Sequence, residues 1–175
     1  MSLQTSPATP APIATLRMLA GGLISGVVLF GIVLFVVLDS TAYPPVWVAA
    51  GLGALTVVAH LAAETVGYRV PALSPAEPAE ATRAAGRAAY QSSLLLRFAL
   101  CEAVAIIAVA AAFAVEPATA DTYLVGGTLS LALLLWHVWP SDRTIRRIEA
   151  GLDRDGARSD LHATLHGQPA GSALR

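Results

Sequence analysis

The sequence predicts an all-α polytopic membrane protein: an antiparallel four-helix transmembrane bundle followed by a cytoplasmic amphipathic C-terminal helix. Three observations carry this reading. The 175-residue chain is 55% hydrophobic and only 13% charged, with a mean hydropathy of +0.63; a soluble domain carries roughly 25% charged residues. Four apolar stretches approach the length of about 20 residues that a bilayer core demands of a helix. The arginines cluster in the segments that one face of such a bundle would present. Together these exclude an ordinary soluble enzyme domain and a disordered chain, which needs high charge and little apolar surface to bury.

Residues 1–16 read as a disordered cytoplasmic N-terminus, because Met1–Pro12 is polar and proline-rich. The transmembrane domain is expected over 17–140. Its first span, 18–38, holds no charge and is longer than the apolar core of a signal peptide, about 7–15 residues. It is therefore expected to be an uncleaved helix. Gly22 and Gly26 form a GxxxG pair that lets helix backbones approach closely, either inside one bundle or between copies. Pro44 and Pro45 precede the second span, 46–67, which carries His60 and Glu64 near its end.

The central loop follows. Ser74-Pro75-Ala76-Glu77 has the form of a helix start, with Ser74 as N-cap and proline in the first turn. Helix formers over 79–91 carry that helix into the third span, 93–115, which contains Arg97, Cys101 and Glu102. Glu116-Pro117 ends it, and Pro140 ends the fourth span, 122–139, because proline cannot continue the hydrogen-bond ladder. Beyond it, 141–158 reads as an amphipathic helix. Ser141 or Asp142 caps it, and Ile145, Ile148 and Leu152 recur at helical spacing. Such a helix lies on the inner headgroup surface or docks a partner protein. Residues 159–175 read as a disordered tail.

Orientation follows from charge. All eleven basic residues are arginine, which with the abundant alanine fits a GC-rich bacterial genome. Arg17, Arg69, Arg83, Arg87 and Arg97 precede or link spans on one side, and six more follow the fourth span; the other two loops have none. The positive-inside rule then places both termini in the cytoplasm, in a bacterial inner membrane. A net charge of −1 predicts no nucleic-acid partner. The single cysteine excludes an internal disulfide.

An ionisable side chain inside a span is costly and marks a candidate site. At 1.5 Å per residue, Glu102 and His60 sit about 12 and 10 Å deep, and Arg97 and Glu64 each about 5 Å. Glu102 with His60 is therefore the candidate ion or proton site. Glu64, Arg97 and His137 are its candidate supporting polar cluster, with Glu64–Arg97 as an interfacial ion pair. Other chemistry finds little footing. His60 and His137 differ in depth, which disfavours haem. Cys101 in apolar surroundings is an inert thiol. His162 and His166 lie four apart with no visible third ligand, so no metal and no cofactor is expected. Trp47, Trp136, Trp139, Tyr43 and Tyr123 lie near span ends, where aromatic anchors belong.

The run Leu96-Arg97-Phe98-Ala99-Leu100-Cys101-Glu102-Ala103 resembles the carboxylate-bearing helix of rotary ATPase c subunits, in which the ion-binding acid occupies the position of Glu102. The whole chain, with its Arg-x-Ala-Leu-x-Glu run and the tail Pro140-Ser141-Asp142-Arg143-Thr144-Ile145, also looks like a family of small bacterial four-helix integral membrane proteins. That likeness implies the fold and no activity. The expected function is that of a non-enzymatic membrane protein. Its partners are the lipid bilayer and either a second copy or another membrane protein. The alternative is a proton- or cation-translocating component built on Glu102 and His60.

Overall fold

A computed structural model describes residues 12–38 and 42–168. Within them the chain is helical, with no strand. The helices are α1 (Pro12–Val37), α2 (Val46–Ala62), α3 (Ala79–Ala114), α4 (Ala120–His137), α5 (Asp142–Leu152) and α6 (Leu161–Leu165), and a π-helical turn, Ala63–Gly67, continues α2. By length and composition three stretches can cross a membrane: α1, α2 with its π turn, and α3. The pair α4 and α5 passes the same test jointly and is bent by 58°. The protein is thus a membrane protein with three such helices, or four if the bent pair is one span.

Packing follows side-chain size. α4 lies centrally and contacts α1, α2 and α3. It comes close to α3 at Gly126, where a methyl group would collide with Ala108. Small residues are what let helix backbones come so near. Ser130 Oγ donates to the Cys101 carbonyl at 2.9 Å and fixes the same pair. Tyr123 is a correction to the sequence reading. It is not an interfacial anchor but a buried strut between Gly31 of α1 and Gly127, and its hydroxyl donates to the Val27 carbonyl at 2.5 Å. Tyr43, Trp47, Trp136 and Trp139 are exposed, as anchors must be.

Three boundaries also differ. The first helix starts at Pro12, inside the segment expected to be disordered; residues 1–11 of that segment lie outside the described ones. α3 starts at Ala79, not near Ser74. The reason is Pro78. A helix capped by Ser74 would need the amide of residue 78 for its first hydrogen bond, and proline has none. Ser74 instead closes a turn, its hydroxyl accepting from Ala76 N at 3.3 Å.

The third difference is the largest. The expected tail is folded over 159–168: Ser159, Leu161, Ala163 and Leu165 are buried, and α6 packs on α5, α3 and α1. The remainder, 169–175, lies outside the described residues. α5 is capped by Ser141, whose hydroxyl accepts from Thr144 N while Thr144 Oγ1 accepts from Ser141 N. Ile145, Ile148 and Leu152 are fully buried. The amphipathic face that sequence offers to lipid or to a partner is covered by the chain itself. Leu73 N donates to the Leu152 carbonyl at 2.9 Å, and Arg154 to the Val70 carbonyl at 3.1 Å. The central loop and the C-terminal helices therefore form one cap around the first turns of α3.

Candidate functional site

The π turn sets up the polar cluster. His60, Glu64 and Tyr68 succeed one another at four-residue intervals, so they lie along one side of α2 and its extension. They face the end of α4. His60 Nδ1 is 2.9 Å from His137 Nε2, and the Tyr68 hydroxyl is 3.2 Å from His137 Nδ1. Glu64 Oε1 lies 3.8 Å from the same Nδ1. His137 is fully buried, not at the rim of the bundle. Its imidazole has polar groups on both nitrogens, one deeper in the helix pair and one toward the cap.

Arg97 enters from α3 and is also fully buried. It does not pair with Glu64 and does not snorkel to water. Its Nε donates to the Ser93 carbonyl at 3.2 Å and its Nη1 to the His137 carbonyl. The guanidinium lies 4.5 Å over the Tyr68 ring and 5.8 Å from Tyr90. Ring faces and backbone carbonyls, not a carboxylate, offset this buried charge. Nη2 has no partner among the described residues.

Glu64 pairs instead with α5. Arg147 Nη1 is 2.5 Å from Oε2 and its Nη2 donates to the Glu64 carbonyl at 3.1 Å, while Arg143 Nη2 is 3.4 Å from Oε1. Arg147 also stacks 3.9 Å over Tyr68, so two guanidinium groups lie against that ring. Arg143 stacks on Trp136 at 4.5 Å. Tyr68, Arg143 and Arg147 were missed by the sequence reading. Only Tyr68 left a signal there, its four-residue offset from Glu64.

Glu102 is not part of this cluster, and the expected Glu102–His60 pair does not form. Residues five apart on a helix point about 140° away from each other, so with Arg97 turned to His137, Glu102 faces α1. It lines an apolar groove of about 320 Å³ with Val27, Phe30, Ala105, Ile106 and Tyr123. It makes no hydrogen bond or ion pair among the described residues. Gly22 is exposed and Gly26 half-buried, and beyond their own helix backbone no atom lies within 4 Å of where their β-carbons would be.

Among the described residues, two groups bring together side chains able to hold a metal ion: His60 with Glu64 and His137, and Asp142 with His162 and His166. The first is crowded by the Arg143 and Arg147 guanidinium groups already on Glu64, which compete with a cation. The second lies on the cap, and its carboxylate, Asp142, comes from 20 positions upstream of His162. Compared with family models, with curated proteins and with solved structures, the chain matches none of them.

Proposed function

We propose that the chain is a non-enzymatic membrane protein that crosses the membrane four times and acts by assembling with a second copy of itself through α1. Its Arg-rich end is cytoplasmic, in a bacterial inner membrane. The observation that carries the assembly is the placement of the GxxxG pair. The buried side of α1 is Ile13, Ala20, Ile24, Val27 and Leu34. Gly22 and Ser25 fall on the exposed side with Met18, Leu29 and Val36, and Gly26 is half-buried beside them. Small residues that serve no contact inside the bundle are available for a contact outside it. In lipid, such a seam is how helices associate.

The test is the oligomer distribution of the full chain in nanodiscs. Gly22→Leu and Gly26→Leu are expected to convert dimer to monomer. A dimer that survives both, or one lost only in Gly51→Leu on α2, removes the reading.

A second reading is favoured by the His60–His137–Tyr68 chain. An imidazole with partners on both nitrogens can take a proton on one and release it from the other. The relay, if it operates, uses His137 and not Glu102. Proton flux in proteoliposomes is then expected to fall in His60→Gln and His137→Gln and to persist in Glu102→Gln. An absence of flux in the unmodified protein ends this reading.

A further inference from the structure

The cap carries a second polar constellation that the membrane helices do not use. Asp142 is the first residue of α5; His162 lies in α6 and His166 ends it. Asp142 Oδ1 is 3.2 Å from His162 Nε2 and 3.6 Å from His166 Nε2. The two imidazoles stack with centroids 4.3 Å apart and planes 28° from parallel. One donor atom from each of the three residues falls within 4.8 Å of the other two. A tetrahedral ion with bonds of about 2.0–2.1 Å holds its ligand atoms about 3.3 Å apart. The three groups are thus close to the spacing that one ion imposes, without being built around an interior cavity.

The hydrogen bonding leaves one ring nitrogen of His166 able to ligate. His166 Nδ1 is 2.9 Å from the His162 carbonyl oxygen. A carbonyl only accepts, so Nδ1 carries the proton, and in a neutral ring Nε2 then holds the lone pair. That nitrogen lies 3.6 Å from Asp142 Oδ1, and a carboxylate also only accepts. A divalent ion, or a proton on the ring, turns this pair of acceptors into an attractive contact. An Nδ1–H bond to a backbone carbonyl is also the brace that orients metal-binding histidines. The backbone amide of His162 donates to Glu149 Oε1 at 3.1 Å, which holds α6 in place on α5.

Access and charge fit an ion drawn from water. The Asp142 side chain is 67% exposed and both imidazoles 23%. Two imidazoles and one carboxylate suit borderline divalent transition ions; the hard cations magnesium and calcium prefer all-oxygen sites.

We propose that Asp142, His162 and His166 form a surface site for a zinc-class divalent ion, with its fourth position open to water. Bound there, the ion ties the segment after α5 back to the first turn of α5. It thereby fastens the cap on the base of α3. The site is separate from the α1 seam and does not depend on it.

The test uses the full chain in nanodiscs, stripped of metal and titrated with Co²⁺ and then Zn²⁺. One ion per chain is expected, with a four-coordinate Co²⁺ visible spectrum that Zn²⁺ abolishes. Asp142→Asn and His166→Gln should each weaken binding by about tenfold or more, since each removes one of three ligands. His60→Gln should bind as the unmodified chain does, which separates this site from the His60–Glu64–His137 group. Unchanged elution and an unchanged Trp near-ultraviolet signal in the variants show that lost binding is not lost folding. The proposal falls if the unmodified chain shows neither the Co²⁺ spectrum nor heat with Zn²⁺. It also falls if binding survives His162→Gln with His166→Gln, or follows His60.

Discussion

Arg97 shows how much of the site depends on the absence of a side chain beside it. Its stem passes over Gly67, where a β-carbon would lie 2.5 Å from Arg97 Cγ and 3.8 Å from the Ala63 methyl. Arg97 is fully buried and fixed at its head by the Ser93 and His137 carbonyls, so the stem cannot swing clear. Gly67→Ala is therefore expected to destabilise the protein by about 1–3 kcal/mol, the usual cost of overpacking. The check is a double-mutant cycle on unfolding in detergent micelles. In an Arg97→Ala background the obstructing Cγ is gone, and the same Gly67→Ala should cost close to nothing further. Additive costs would mean that Gly67 is needed for the π turn itself and not for the passage of Arg97.

At the scale of elements, legibility followed locality. The apolar runs of α1, α2 and α4 and the proline stops at Pro45 and Pro140 are local, and they place those helices within a few residues of where the structure has them, the start of α1 excepted. Rise per residue also puts His60, Glu64 and Arg97 near one level on α2 and α3, and the structure gathers them around His137. Their pairing did not follow, because partners depend on helix rotation and on α5. The sequence shows that Ile145, Ile148 and Leu152 form one apolar face. It does not show that the chain bends by 58° at Pro140 and lays that face on its own α3 and α6. Once it does, Arg143 and Arg147 arrive at Glu64 from 79 and 83 residues away, and Arg97 is released from the carboxylate expected for it. Glu102 was misjudged for the related reason that equal depth on two helices says nothing about facing direction.

For the molecule as a whole, the cap fixes how the ends relate. α3 has 36 residues, about 54 Å at 1.5 Å per residue, against a hydrocarbon core of about 30 Å. Its surplus length is the Arg-rich first part, and the cap closes on it: Ser159 and Leu152 both lie against Gly86. At the other end Thr119 Oγ1 donates to the Ala42 carbonyl at 2.8 Å, joining the α1–α2 and α3–α4 connections. A chain that leaves the cap along α3 and is back at the cap by Ser159 has to return along α4, whose 18 residues span about 27 Å. The four-crossing proposal therefore makes a paired prediction for single cysteines introduced in a Cys101→Ala background. Glu80→Cys and Arg158→Cys should react with a membrane-impermeant maleimide from one face of sealed vesicles, and Tyr43→Cys and Glu116→Cys only from the other. Labelling of Glu116→Cys and Glu80→Cys from the same face would mean that α3 does not cross. Labelling of Arg158→Cys together with Glu116→Cys would mean that α4 does not return, and that the cap does not close on α3 in the membrane.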